Sequence, residues 1–231
     1  IVILDDEIYD DALTLVDNSL YSFDVLISGI ERLSEGVPPP VGGEVLFADD
    51  FSDPESGLWD DEEMSDWGMG YYDADNEMYV YELAAQSGPV YDYYADAELG
   101  DSFILQVALT YAGSWDNAYG LIFQLVDDES FYAVRISGDG YVLAEKVVDG
   151  EVETLIDWTV VEGIATGEGE ANLLTIAANG EIYDIYINER WVGSFTDGDL
   201  SGGVFGIVAE NYNEAAASAI LFDDLQVFAT E

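Results

Sequence analysis

The chain has 231 residues and carries 50 Asp and Glu against 4 Lys and Arg, with no His and no Cys. A formal net charge of −46 excludes nucleic acid and anionic membrane surfaces as partners, because both call for a basic face. The missing residues exclude disulfides, thiolate sites and imidazole chemistry, while 49% hydrophobic and 13% aromatic content excludes a disordered acidic tail.

The four cations are Arg32, Arg135, Lys146 and Arg190. Almost no carboxylate can therefore find an ion-pair partner, and the compact state repels itself at low ionic strength. High salt, bound divalent cations or an acidic medium would each relieve that repulsion; at about 1 M salt the screening length falls to roughly 3 Å.

The first element predicted is helical. The chain opens on Ile1 rather than Met, which reads as a processed or truncated start, and no signal peptide is visible. After Ile1, Val2, Ile3 and Leu4 comes the acidic cluster Asp5-Asp6-Glu7, suited to a helix N-terminus. Apolar residues then recur at helical spacing, among them Leu20, Phe23, Ile27 and Ile30, which makes a wide apolar stripe. Gly36 is a fitting residue to end the helix, and Pro38-Pro39-Pro40 forbids its continuation. Residues 1–36 thus read as an amphipathic docking or assembly segment, and 37–43 as a Pro/Gly linker. A lone apolar stripe must be buried, either on its own domain or on a neighbouring subunit, and residues 1–4 could add as a strand to an exposed sheet edge. A homo-oligomer or polymer is the partner this implies.

From residue 44 the period becomes two. Phe103, Leu105, Val107, Leu109 and Tyr111 share one strand face, and Tyr119, Leu121, Phe123 and Leu125 share the next. Asp149-Gly150 and Asn179-Gly180 are hairpin signals of the type I′ kind. Further strands follow over 173–178, 182–187, 191–195, 204–209 and 219–228. Many short strands at regular spacing predict an antiparallel β-sandwich or barrel over 44–231.

Several strings give this pattern a resemblance: Asp49-Asp50-Phe51-Ser52-Asp53, Asn117-Ala118-Tyr119-Gly120-Leu121, Asp128-Glu129-Ser130-Phe131-Tyr132, Asp139-Gly140-Tyr141, Ile187-Asn188-Glu189 and Phe222-Asp223-Asp224-Leu225. In this order, over roughly 44–228, they resemble the concanavalin A-like lectin/glucanase superfamily, in particular its laminin-G-like and glycosyl-hydrolase-like surface modules. The resemblance implies a mainly β fold, an antiparallel jelly-roll β-sandwich with first and last strands adjacent, here with a short N-terminal helical or extended appendage. It fixes no function, since the superfamily holds enzymes, lectins and structural modules.

Three kinds of site are weighed. Enzymes of this fold carry a Glu-x-Asp-x-x-Glu strand motif; none occurs, and Glu151-Val152-Glu153 is among the nearest strings. The chain is therefore expected not to be an enzyme. Ca²⁺ is the expected cofactor, because carboxylates and carbonyls supply its oxygens. If the first and last strands pair, Asp50, Asp53 and Asp223 converge, and modules of the resembled kind often hold a structural Ca²⁺ there. A glycan is the third ligand, since aromatics are dense over 59–119 and aromatic faces stack on sugar rings. Trp67, Tyr79, Tyr81 and Trp115 are the residues singled out. The leading expectation is a non-catalytic, extracellular or cell-surface subunit that self-assembles into a fibre or sheath; the alternative is a carbohydrate-binding module, and a glycoside hydrolase-like enzyme stands third.

Overall fold

The structure is a computed structural model that describes residues 40, 42–55, 59, 62–63 and 67–230. They lie in the unit Pro40–Glu231. The expected N-terminal helix and strand, with Ile1, Val2, Ile3, Leu4, Leu20, Phe23, Ile27 and Ile30, fall outside the described residues.

Fifteen strands follow in chain order: β1 (Gly42–Asp49), β2 (Glu62–Glu63), β3 (Gly68–Asp73), β4 (Met78–Leu83), β5 (Val90–Tyr94), β6 (Ser102–Gly113), β7 (Asn117–Asp127), β8 (Ser130–Ile136), β9 (Tyr141–Val148), β10 (Glu151–Val160), β11 (Asn172–Asn179), β12 (Ile182–Ile187), β13 (Arg190–Thr196), β14 (Val204–Asn211) and β15 (Ser218–Thr230). They form two antiparallel sheets packed as a sandwich. A nine-stranded sheet runs β13-β12-β11-β6-β15-β4-β3-β2, with β1 also on β15, and a six-stranded sheet runs β10-β9-β8-β7-β14-β5. First and last strands pair, as the resemblance implies.

Strand β15 explains how nine strands fit. β6 follows one edge of it from Ser218 to Ala229. The other edge is shared: Ser218 to Phe222 pairs with β4, and Leu225 to Thr230 pairs with β1. Between the two lies a register shift after Asp223, where Asp224 takes a φ of 50°. A bulge of this kind bends the strand and lets two partners use one edge.

The core follows from alternation. Phe103, Leu105, Val107, Leu109 and Tyr111 all point inward from β6, each 3% exposed or less. Rings from both sheets meet them: Phe103 and Phe123 lie 6.1 Å apart, Phe123 and Tyr132 5.6 Å, and Tyr183 stacks on Phe195 at 4.9 Å. Each such ring, fully buried, stabilises by about 1.5–3 kcal/mol. Tyrosines suit this role where the ring is dry and the hydroxyl finds an edge partner: Tyr111 donates to Thr166 O at 2.6 Å and Tyr132 to Asp197 Oδ1 at 2.6 Å.

Two expectations need correction. Leu125 does not continue the face of Tyr119, Leu121 and Phe123. The β7–β8 register shifts after Phe123, with Gln124 at a φ of 50°, and Leu125 joins Ile122, Ala133 and Val208 in a second buried cluster. One extra residue flips every following side chain. The hairpin after β11 also differs. Asn179 is still paired, with Ile182, so the central residues are Gly180 and Glu181, of which Gly180 alone has positive φ, at 62°; that is the type II′ arrangement. The Asp149-Gly150 turn has positive φ at both positions, 51° and 78°, as expected for type I′.

Candidate functional site

One end of the sandwich gathers the turns β4–β5, β6–β7, β8–β9 and β14–β15, as strand directions require. Two buried asparagines tie them. Asn117 donates through Nδ2 to Ser114 O at 2.6 Å and Ser218 Oγ at 3.1 Å, and its Oδ1 accepts from Gly138 N at 3.0 Å. Asn211 donates to Ala84 O and Ala216 O, each at 2.9 Å, while its N donates to Ser87 Oγ at 3.0 Å. The two systems are joined where Tyr212 N donates to Asp116 O at 2.9 Å. Four turns are thereby fixed before any ligand arrives.

A cleft of about 210 Å³ opens between them, lined by Asp116, Asn117, Ser137, Asp139, Tyr141, Trp158 and Tyr212. Trp158 and Tyr141 are half-buried and Tyr212 is 37% exposed, so each ring keeps part of its surface in the open. Asp139 accepts from Ser137 Oγ, which itself accepts from Tyr141 N at 3.0 Å. The Asp116 side chain is half-buried at the rim. Gly138 is required in the floor: a Cβ there would stand 2.7 Å from Trp115 O and 2.8 Å from its Cα.

Behind Tyr212 lies the guanidinium of Arg135, which is 9% exposed. It donates through Nη1 to Glu210 at 2.8 Å and through Nη2 to Glu145. Burial pushes the Tyr212 phenol well above its ordinary value; Arg135 pulls the other way and the hydrogen bond with Glu210 adds to the rise. The hydroxyl therefore stays a donor. Chemically the cleft offers aromatic faces, carboxylate acceptors and phenolic hydroxyls.

Among the expected glycan residues the structure separates two pairs. Tyr79 and Tyr81 are each 0% exposed and pack in the aromatic core with Phe51, Trp59 and Phe222, so they can meet no ligand. The alternation that puts both on one face directs that face inward. Trp67 and Trp115 are 46% and 55% exposed. Trp115 adjoins Asp116 of the cleft. Trp67 lies at the same end, its carbonyl accepting from Ala84 N at 2.8 Å, and its ring covers Gly88, where a Cβ would come within 2.5 Å of it. Sequence reasoning did not single out Trp158, Tyr141 or Tyr212 as ligand residues; Tyr141 and Trp158 lie on the paired strands β9 and β10 and Tyr212 follows β14, and of the three only Tyr141 stands in one of the strings that carry the resemblance, Asp139-Gly140-Tyr141.

The expected metal residues are brought into one neighbourhood without forming a cage. Asp223 has its pKa raised by burial first and then by Asp224, with Asp50 and Glu77 contributing at longer range. Each carboxylate nearby is engaged in its own turn: Asp49 accepts from Phe51 N at 2.9 Å and Trp59 Nε1 at 2.9 Å, Asp50 from Ser52 N at 3.1 Å, and Asp53 from Glu55 N at 3.0 Å. Among the described residues no group of three or more acidic side chains is placed to hold a metal ion.

No protein-family profile matches the chain. A curated relative, a TPR repeat-containing protein of Treponema pallidum (strain Nichols), is 26% identical over 97 residues; the match spans 41% of this chain and 11% of that protein. Solved structures are similar over far more of the chain. The carbohydrate binding module CBM66 from Bacillus subtilis has a TM-score of 0.54 at 18% identity, covering 65% of this chain and 86% of that one. A protein of unknown function with a galectin-like fold from Bacillus subtilis has a TM-score of 0.60 at 12% identity, covering 82% and 97%. The β-glucanase of Bacillus licheniformis has a TM-score of 0.60 at 10% identity, covering 80% and 98%.

The fold is the concanavalin A-like jelly roll. Within that fold the expectation of a self-assembling structural subunit is overturned: the similar jelly rolls are a carbohydrate-binding module, a galectin-like protein and glycoside hydrolases, which favour the alternative reading.

Proposed function

We propose that the jelly roll is a non-catalytic carbohydrate-binding module that works outside the cell or at its surface, and that the end cleft is its glycan site. The observation that carries this reading is the convergence of three partly open rings, Trp158, Tyr141 and Tyr212, with the carboxylates Asp116 and Asp139. Ligand sites of this kind combine apolar faces with a few fixed polar groups. Rings stack on the C–H faces of a sugar, and carboxylates accept from its hydroxyls. The asparagine-tied turns hold these groups in place, which lowers the cost of ordering on binding. Trp67 and Trp115 extend the aromatic surface at the same end.

The non-catalytic part rests on the sequence, which lacks the Glu-x-Asp-x-x-Glu strand motif that the resemblance implies for an enzyme of this fold.

A glycan array with the whole chain, followed by calorimetry on any hit, tests the reading. Trp158→Ala is expected to weaken binding at least about tenfold, or 1.4 kcal/mol, with the circular dichroism spectrum unchanged. Binding that survives Trp158→Ala together with Tyr141→Ala would place the site elsewhere, and turnover of a bound oligosaccharide would end the non-catalytic assignment.

A further inference from the structure

We propose that the glycan taken by the cleft is a cationic one, a chain of amino sugars with free, protonated amines. The inference rests on the carbohydrate-binding reading and names its ligand class. Its basis is the charge that surrounds the aromatic walls. Asp116 stands at the rim with no side-chain partner among the described residues, and Asp139 is exposed, meeting only the Ser137 hydroxyl. Among the described residues no cation lines the cleft. Arg135, close behind Tyr212, is already shared by Glu145 and Glu210, which leaves that cluster net negative. Lys146 is tied to Glu153, Asp197 and Asp199, and Arg190 faces Glu162. An uronic or sulfated sugar would therefore meet carboxylates with nothing to answer its charge.

An ammonium group meets the opposite situation. A cleft with low-dielectric walls focuses the field of its charges, and this one sits on a chain of net charge −46. Indole and phenol faces attract cations as well. An amine beside a stacked sugar ring could lie between Trp158 or Tyr212 and the two aspartates, and a neighbouring hydroxyl could donate to Asp139.

The test is calorimetric titration of the whole chain at about 0.15 M salt, where the screening length is about 8 Å. The probes are β-1,4-linked glucosamine oligomers, their N-acetylated counterparts, cello-oligomers and oligogalacturonate. The glucosamine oligomers are expected to bind at least about tenfold tighter than the N-acetylated and cello series, and oligogalacturonate not at all. Asp116→Asn with Asp139→Asn should abolish that preference while the backbone bond from Tyr212 N to the residue 116 carbonyl remains. Trp158→Ala should weaken every series. Equal or tighter binding of neutral oligomers overturns the amino-sugar proposal and leaves the carbohydrate reading standing. Glucosamine binding that is unchanged in the double Asn variant marks mere attraction of a polycation to the acidic surface, and also overturns it. No binding of any oligomer removes both.

Discussion

Asn117 and Gly138 are joined across the end of the sandwich: the Asn117 Oδ1 accepts the Gly138 N–H at 3.0 Å while its Nδ2 reaches Ser114 O and Ser218 Oγ. Asn117 is 1% exposed, so water cannot replace these bonds. Asn117→Ala leaves Gly138 N without its partner, at about 1–3 kcal/mol for an unsatisfied buried group, while Ser114 O keeps the Ser218 hydroxyl at 3.1 Å. A loss of roughly 1–3 kcal/mol is expected from urea unfolding, with the slope unchanged. Because the same bonds hold the cleft walls, glycan affinity should fall even under conditions where the variant is fully folded. A loss of less than about 1 kcal/mol would mean the turns are held by something else.

Gly120 and Gly206 mark where β7 and β14 leave no room for a side chain. A Cβ at Gly120 would stand 2.1 Å from Val134 O, and one at Gly206 would stand 2.0 Å from Asp92 O. Both obstacles are backbone in the paired neighbouring strand, so they cannot swing aside. Gly120→Ala and Gly206→Ala are each expected to cost more than about 3 kcal/mol. Gly100→Ala, with nothing within 4 Å of the new Cβ, should change stability by less than about 0.5 kcal/mol. Thermal melts of the three variants in one buffer separate them; tolerance of either strand substitution would contradict the sheet geometry.

Most of the sandwich is legible in the sequence because one physical rule, alternation against a shared core, writes it there. The β6 run from Phe103 to Tyr111 and the Asp149-Gly150 turn are local signals and come out as expected. Bulges are not local. The flip at Gln124, which sends Leu125 to a second cluster, depends on how β7 meets β8 and β14, and no pattern within β7 announces it. The site suffers more. Alternation predicts that Tyr79 and Tyr81 share a face, but which face looks inward is decided by the partner strands. Trp158 lies on β10, which among the described residues pairs with β9 only, and three strands stand between β10 and β14 in the sheet; that Trp158 and Tyr212 line one cleft follows from how the turns at this end close over it, which the sequence does not display. A dense aromatic stretch was thus a poor guide to the cleft.

Lys146 anchors the opposite end of the domain. Only 7% of its side chain is exposed, and its ammonium contacts Asp199 at 2.6 Å, Asp197 at 2.7 Å and Glu153 at 3.1 Å. Asp197 also accepts from Tyr132, deep among the core rings. Lys146→Met removes the cation and leaves Asp197, with 13% of its side chain exposed, without a counter-charge. Breaking a buried pair in this way costs about 3–5 kcal/mol. Asp199→Asn changes a carboxylate whose side chain is 67% exposed, and less than about 1 kcal/mol is expected. Equal effects in chemical denaturation would show that the three acids share the ammonium evenly, contrary to their burial.

The last prediction concerns pH and salt, where two kinds of carboxylate pull in opposite directions. Burial raises the pKa of both Asp49 and Asp223 above the ordinary 3.8, with neighbouring acids adding to it. These groups take up protons on folding. They favour the folded chain below the unfolded value, and that contribution is lost as pH rises through the raised folded value. Asp197 is the reverse case. Burial works against its charge, but the hydrogen bonds from Lys146 and Tyr132 outweigh it and hold its pKa below 3.8. Its contribution is present above the unfolded value and lost as pH falls through the folded one. The net charge of −46 adds self-repulsion that also fades on acidification. At low ionic strength Tm should therefore rise by about 5 °C or more from neutral pH down through the raised Asp49 and Asp223 values, then fall below 3.8 as Asp197 is neutralised. About 1 M NaCl should flatten the rising limb, because screening shortens to about 3 Å. Asp223→Asn should raise Tm at neutral pH by about 1–3 °C, since it relieves repulsion by Asp224, Asp50 and Glu77, and this gain should disappear in acid. A Tm that drops steadily from neutral pH downward, or an Asp223→Asn variant less stable than the parent at neutral pH, would mean that the acidic surface is stabilised by something other than screening, and a divalent ion held at the Asp50 and Asp223 neighbourhood would be the first thing to look for with a chelator.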